Sequence, residues 1–263
     1  MGISILAVVT LWWREITRFR RQRSRLFGAL GQPVVFWILL GGGLNASFRP
    51  PGMPADVTYM EYFYPGIMAL VILFTAIFAT IVVVEDRREG FLQGVLVSPV
   101  SRTSIVLGQA LGGTTLAMIQ AVLMLIAAPF MGISLSVASA LAVTAVLFVL
   151  SFALTNLGLM IAWRMQSTQG FHAIMNMILM PIWLLSGAFF PLTGVPVWLA
   201  WVMRINPLTY GMAALRRCLY LTHTTAAGAA GLVSPLLPSL AVTVFFGLVT
   251  LFAAVSAARR YAV

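Results

Sequence analysis

The 263-residue chain holds six carboxylates, two histidines and one cysteine. Acid–base, nucleophilic or metal chemistry would have to be built from these side chains. His172 and His223 stand far apart and make no ligand pattern with Cys218. A single cysteine also excludes an intrachain disulfide. Glu85, Asp86 and Glu89 sit together with Arg87 and Arg88, while Glu15, Asp56 and Glu61 are scattered. No nucleophile has a base beside it and no carboxylate pair lies in an apolar run, so an enzyme is not expected, and neither is a metal or cofactor on this chain. All sixteen basic residues are arginine. A Walker A phosphate loop needs a lysine to reach the β- and γ-phosphates. If ATP and Mg drive this protein, a separate ATP-binding subunit must hold them.

The mixed-charge run Glu85-Asp86-Arg87-Arg88-Glu89 is therefore better suited to contact than to catalysis. From Asp86 to Val97, Phe91, Leu92, Val95 and Leu96 fall on one helical face, and Ser98-Pro99 stops the helix. A short amphipathic helix of both charge signs, joined rigidly to long apolar segments, can carry force from a soluble partner and fix its docking register. The plainer reading is an anchored loop between two spans.

The elements that must position this run are apolar. Hydrophobic residues make up 61% of the chain and charged residues 8%, against about 25% charged in a soluble domain. A lipid bilayer is the expected solvent. Six spans are predicted, roughly Phe27–Leu44, Tyr62–Val84, Ser104–Met131, Ser136–Trp163, His172–Phe190 and Leu236–Ala257, in a single all-α domain. Pro50, Pro51, Pro54 and Asp56 mark a loop over 45–61. Between spans five and six, Val195–Ile205 and Leu208–Leu221 are too short to cross, since a crossing needs about 20 residues. Split by Asn206-Pro207, they read as two re-entrant helices. Twelve arginines fall on the side that holds both termini and four on the other, which predicts cytoplasmic termini. The net charge of +10 lies in short clusters between apolar runs, a pattern of membrane anchors that argues against nucleic acid.

Residues 1–25 read as an amphipathic helix on the bilayer surface. Ile5, Val9, Trp12, Ile16 and Phe19 share one face; Arg14, Arg18, Arg21 and Arg25 lie opposite, where anionic headgroups would meet them. The alternative is a frayed basic tail. The arginines follow the apolar stretch, so these residues do not read as a secretory signal. Polar residues inside the spans, Gln32, Gln120, Asn156 and Asn176, with His172 at a boundary, either line a path or bond helix to helix. Phe74, Phe78, Met175, Met177 and Met180 either offer an adaptable surface to a greasy substrate or simply pack. Gly108 and Gly112 predict a close helix contact, and Pro181 a kink. Without buried carboxylates, a six-span ion-coupled transporter or channel is the second reading.

Two blocks carry a resemblance. Glu85 to Leu92, then Val97-Ser98-Pro99-Val100-Ser101-Arg102 and Leu107-Gly108, resembles the cytoplasmic signature of type-2 ABC export permeases, the membrane subunits of bacterial drug, nodulation-factor and polysaccharide exporters. Leu185-Ser186-Gly187-Ala188-Phe189-Phe190-Pro191, followed by Asn206-Pro207-Leu208-Thr209-Tyr210 and Arg216, resembles the second signature of that family. Phe91, Gln93 and Gln109 depart from its commonest residues. The resemblance implies a homodimer or heterodimer of permeases in a bacterial-type inner membrane, each copy on one ATP-binding subunit. It implies that the segment from Glu85 to Leu92 with Ser98 and Pro99 couples to the ATPase. It also implies that Phe189, Phe190, Pro191, Trp198, Asn206, Pro207 and Tyr210 form an external gate and that the cargo is a drug, lipid or lipid-linked saccharide; Phe74, Phe78, Asn156 and Asn176 are candidates for its path on their residue types alone.

Overall fold

A computed structural model describes residues 3–21, 31, 33–44, 58–131, 133–192, 195–221 and 234–260. Every regular element among these residues is helical. The helices are α1 (Ile5–Arg21), α2 (33–44, with a π-turn at Trp37–Gly41), α3 (Tyr59–Ala79), α4 (Val82–Arg88), α5 (Phe91–Val97) and α6 (Arg102–Ala127). They continue with α7 (Val137–Ala162), α8 (Thr168–Trp183), α9 (Val197–Ile205), α10 (Pro207–Leu219) and α11 (Leu236–Arg260).

Short polar residues set the starts. Thr58 and Glu61 close a reciprocal capping box on α3. Ser101, Ser136 and Ser167 accept from the backbone amides of Ser104, Ser139 and Gly170 at the starts of α6, α7 and α8. Asn206 caps α10, with Pro207 at its first position. Each cap satisfies an amide that the helix itself leaves unpaired.

Five helical stretches are long and apolar enough to cross a bilayer: Tyr59–Arg88, Arg102–Met131, Val137–Ala162, Thr168–Ala188 and Leu236–Arg260. The expected first span falls partly outside the described residues; its described part is α2. Arg25, Gln32, Asp56 and His223 also lie outside them. The predicted second span runs further than expected, because the charged run continues the helix as α4 after a short turn at Thr80 and Ile81. The expected single helix from Asp86 to Val97 is instead broken at Gly90, whose φ of +81° lies in the left-handed region that only glycine enters without strain. The halves on either side are α4 and α5.

The core lies around α3. In the stretch Tyr59–Arg88, 83% of the most apolar 18 residues are buried, against 33% for α11, so α3 is central and α11 peripheral. Helices α6, α7, α8 and α10 pack around α3, and α11 lies on α7 and α10. Leu141, Phe148, Phe245, Leu248 and Phe252 remain exposed on outward faces, where lipid rather than water is the fitting solvent. Small residues permit the closest approaches. A Cβ on Gly113 would lie 2.6 Å from Thr155 Cγ2, and one on Gly158 2.7 Å from Thr80 Oγ1. The two expected short helices are present as α9, largely exposed, and α10, largely buried.

Candidate coupling and closure sites

Helix α1 lies along α6. Trp12 Nε1 donates to Thr115 Oγ1 at 3.0 Å and the Ser4 amide to Ser104 Oγ at 2.9 Å. Gly108 and Gly112 are the seat: a Cβ at Gly108 would meet Leu11 Cβ at 2.8 Å, and one at Gly112 would meet Glu15 Cβ at 2.7 Å. The predicted close contact is thus between α6 and α1.

This seat turns two arginines toward α4 instead of toward lipid headgroups. Arg14 donates from Nη1 to Asp86 Oδ2 and from Nη2 to Asp86 Oδ1, both at 2.6 Å. Arg18 donates to Asp86 Oδ1 at 3.1 Å and to Glu85 Oε2 at 2.7 Å. The Asp86 side chain is only 1% exposed. Such parallel, charge-assisted bonds are the strong kind. The hydrogen bond to Asp86 raises the Arg14 pKa above its ordinary value, with burial opposing. The Arg14 guanidinium also lies 3.8 Å from the centroid of the Phe91 ring, which reaches it from α5. Arg21 is exposed.

The rest of the charged run is tied down differently. Arg87 donates to the carbonyls of Met165 and Trp163 at 2.7 and 2.8 Å, satisfying the C-terminal end of α7. Arg88 reaches Thr168 Oγ1 at 3.4 Å. Arg102 donates twice to Leu96 O at 3.1 Å and so closes α5; Ser98 stands at its C-cap with extended backbone, followed by an exposed Pro99. Leu92 is buried beneath. Glu89, Gly90, Phe91, Gln93 and Val97 form an exposed ledge. The segment that bears this ledge is tied to α1 through Arg14, to α3 through α4, and to the α7–α8 connection through Arg87.

The opposite end is closed by carbonyl groups and the donors that serve them. Helix α8 continues past Pro181 and widens into a π-turn at Leu184–Ala188, where Gly187 has φ +78°. Tyr59 Oη donates to Phe189 O at 3.1 Å and Tyr62 Oη to Gly187 O at 3.3 Å. Trp183 Nε1 donates to Gly66 O at 2.8 Å. Gly66 has no room for a side chain, since a Cβ would sit 2.8 Å from Ala188 O. Pro65 lacks the amide that would serve the Glu61 carbonyl, and Tyr220 Oη supplies a donor to it at 2.6 Å. Asn206 Nδ2 reaches Ile182 O at 2.6 Å, and Thr209 Oγ1 reaches Met203 O at 2.6 Å. Arg216 is 3% exposed and donates to the carbonyls of Tyr62 and Ala188, each at 3.4 Å.

Both ends are thus built from the two sequence blocks. Residues 7–220 match the model of the ABC-2 type transporter family. The chain belongs to that family. It is 29% identical over 207 residues to the putative transport permease ycf38 of Cyanophora paradoxa, covering 77% of this chain and 70% of that one. It is 26% identical over 213 residues to nodulation protein J of Rhizobium leguminosarum bv. trifolii, covering 79% of each. It is 29% identical over 159 residues to the probable multidrug ABC transporter permease YbhR of Escherichia coli K12, covering 59% of this chain and 42% of that one. The chain is therefore a multi-pass membrane permease of the ABC-2 type.

Within the permease, the candidate gate residues divide. Phe189 packs edge-on against Tyr59 and Phe63, Phe190 packs against Phe189, and Pro191 and Asn206 are buried. Pro207 starts α10, and Tyr210 Oη donates to Arg204 O at 3.0 Å. Trp198 stands apart, 67% exposed on α9. The candidate path residues divide too. Phe74 packs on Phe78, and Phe78 on His172. Asn156 is buried, donating to Phe152 O, with its Oδ1 unpaired. Asn176 is on the exposed face of α8, as is Met177, whereas Met175 is buried. Gln120 pairs with Thr75 inside the bundle. The sequence reading did not anticipate the Arg14–Asp86 clamp or the tyrosine hydroxyls on broken helix ends. The signals available for the clamp were the one-turn spacing of Arg14 and Arg18 and the adjacency of Glu85 to Asp86.

Proposed function

We propose that this chain is the membrane half of an ATP-driven exporter, moving a hydrophobic or amphipathic substrate out of the cytoplasm. In this reading a separate ATP-binding subunit binds ATP and Mg and seats against the α4–α5 ledge. Two permease copies, identical or paralogous, make the transporter. Each has six crossings, with α2 in the first; both termini are cytoplasmic in a bacterial-type inner membrane, and α1 lies at the bilayer surface. Helices α9 and α10 dip in from the far side and close the exit together with Phe189 and Phe190.

The observation that carries this reading is the clamp of Arg14 and Arg18 on Asp86 and Glu85. It joins α1, α4 and α5 into one body whose free surface is the ledge, and whose other attachments run straight into α3, α6 and the α7–α8 connection. The absence of lysine supports a second polypeptide as the ATP site. The carboxylates of the described spans stand near their ends, at Glu61, Glu85 and Asp86, which gives ion coupling at mid-membrane no foothold among the described residues.

The test is transport in vesicles holding the permease and its ATP-binding subunit. Export is expected to require ATP and to survive collapse of the proton gradient. Transport that persists without nucleotide and stops with the gradient would sink the reading. Reversing Glu89 and adding charge at Gln93 is expected to weaken co-purification of the ATPase while the permease still inserts.

A further inference from the structure

Arg216 is a buried cation that makes no ion pair with a described carboxylate. The ion pairs of Arg14 and Arg18 lie at the opposite, arginine-rich end. What holds Arg216 is neutral: the Tyr62 ring 4.1 Å below its guanidinium and the two carbonyls at 3.4 Å, both accepting from Nη2. Nε is buried and has no partner. An ionised side chain at membrane depth is costly and generally marks a functional position.

The unused valence has a direction. Nε–H and one Nη2–H are parallel on the same edge of a guanidinium, and that edge grips a carboxylate or phosphate by two hydrogen bonds at once. Here one donor of the edge is idle and the other makes only two long bonds. An oxyanion offers shorter, charge-assisted bonds than a neutral carbonyl can. Arg216 also stands on α10 while its two carbonyls belong to α3 and to the π-turn after α8. An anion that draws the guanidinium away removes the donor these two elements share.

We propose that Arg216 is the receptor for an oxyanion on an apolar tail, a carboxylate or phosphate borne by the transported amphiphile, and that its engagement loosens the α3–α8 closure. The tail follows from the setting, because the Tyr62 ring lies against the guanidinium and Met212, Leu215 and Leu219 on the same helix are all buried apolar residues. This inference deepens the export reading and rests on it for the identity of the ligand as cargo.

Binding can be measured without ATPase or nucleotide, on the purified permease in dodecyl maltoside, by thermal unfolding with added dodecyl phosphate. Dodecyl phosphate is expected to raise the Tm saturably, and inorganic phosphate at the same concentration is expected to leave it unchanged. R216K keeps the charge but loses the two-donor edge, and should weaken the apparent affinity at least tenfold; R216Q should abolish the response. An unresponsive wild type, or equal responses in wild type and R216K, overturns the proposal, and R216K decides the matter where R216Q does not fold. Stabilisation by inorganic phosphate as strong as that by dodecyl phosphate assigns the edge to a free anion and overturns the tailed ligand. Intact Arg216-dependent binding in a permease that shows no ATP-driven transport counts against export and leaves the site standing.

Discussion

Asp86 is a carboxylate almost fully withdrawn from solvent, and its charge is tolerable because Arg14 and Arg18 meet it. Leaving a buried charge wholly uncompensated costs about 3–5 kcal/mol; with Arg18 still bonded to Asp86 at 3.1 Å, losing Arg14 alone should cost part of that. Arg14→Ala is therefore expected to lower the Tm of the purified permease strongly, and more than Arg21→Ala, whose side chain is exposed. The double variant Arg14→Asp with Asp86→Arg should recover part of the loss; no recovery would mean that the pairing is incidental to α1 docking. At the other end, Tyr220→Phe removes the donor on the Glu61 carbonyl, for which Pro65 offers no substitute. The loss should amount to about 1–3 kcal/mol, read as a lower unfolding midpoint.

At the scale of elements, α1 is held by shape as much as by charge. The Gly112 contact with Glu15 leaves no space for a methyl group, so Gly112→Val should push α1 off α6. The expected destabilisation is about 1–3 kcal/mol, with new protease cleavage within α1; an unchanged digestion pattern would show the seat to be looser than the distances imply. Much of the element map was readable beforehand. The capping serines and Asn206-Pro207 announce helix starts by side-chain chemistry that is local in sequence. The break at Gly90 was missed because the apolar spacing continues in phase across it, so periodicity alone cannot see a left-handed residue. Arg14 and Arg18 recur one turn apart on α1, which the sequence shows, but their partners lie some seventy positions away. A one-dimensional pattern of charge cannot distinguish a carboxylate there from a lipid headgroup.

For the whole molecule, the arrangement predicts opposite faces for two exposed sites. Val97 ends α5 beside the ledge and Val137 starts α7 at the far end; they are 85% and 79% exposed. The native Cys218 is buried, so its labelling background should be low. In intact cells an impermeant thiol reagent is expected to label Val137→Cys and to reach Val97→Cys only after the membrane is opened. The reverse pattern would invert the proposed orientation. The distribution of bonds around α3 bears also on biogenesis. The helix at the centre of the bundle emerges early from the ribosome, yet the donors to its Gly66, Tyr62 and Glu61 carbonyls arrive 117, 154 and 159 residues later. A nascent chain stopped after α9 carries the middle of the protein without Arg216 and Tyr220, so the central crossing is made early but completed late, and premature termination exposes an unfinished centre to quality-control proteases.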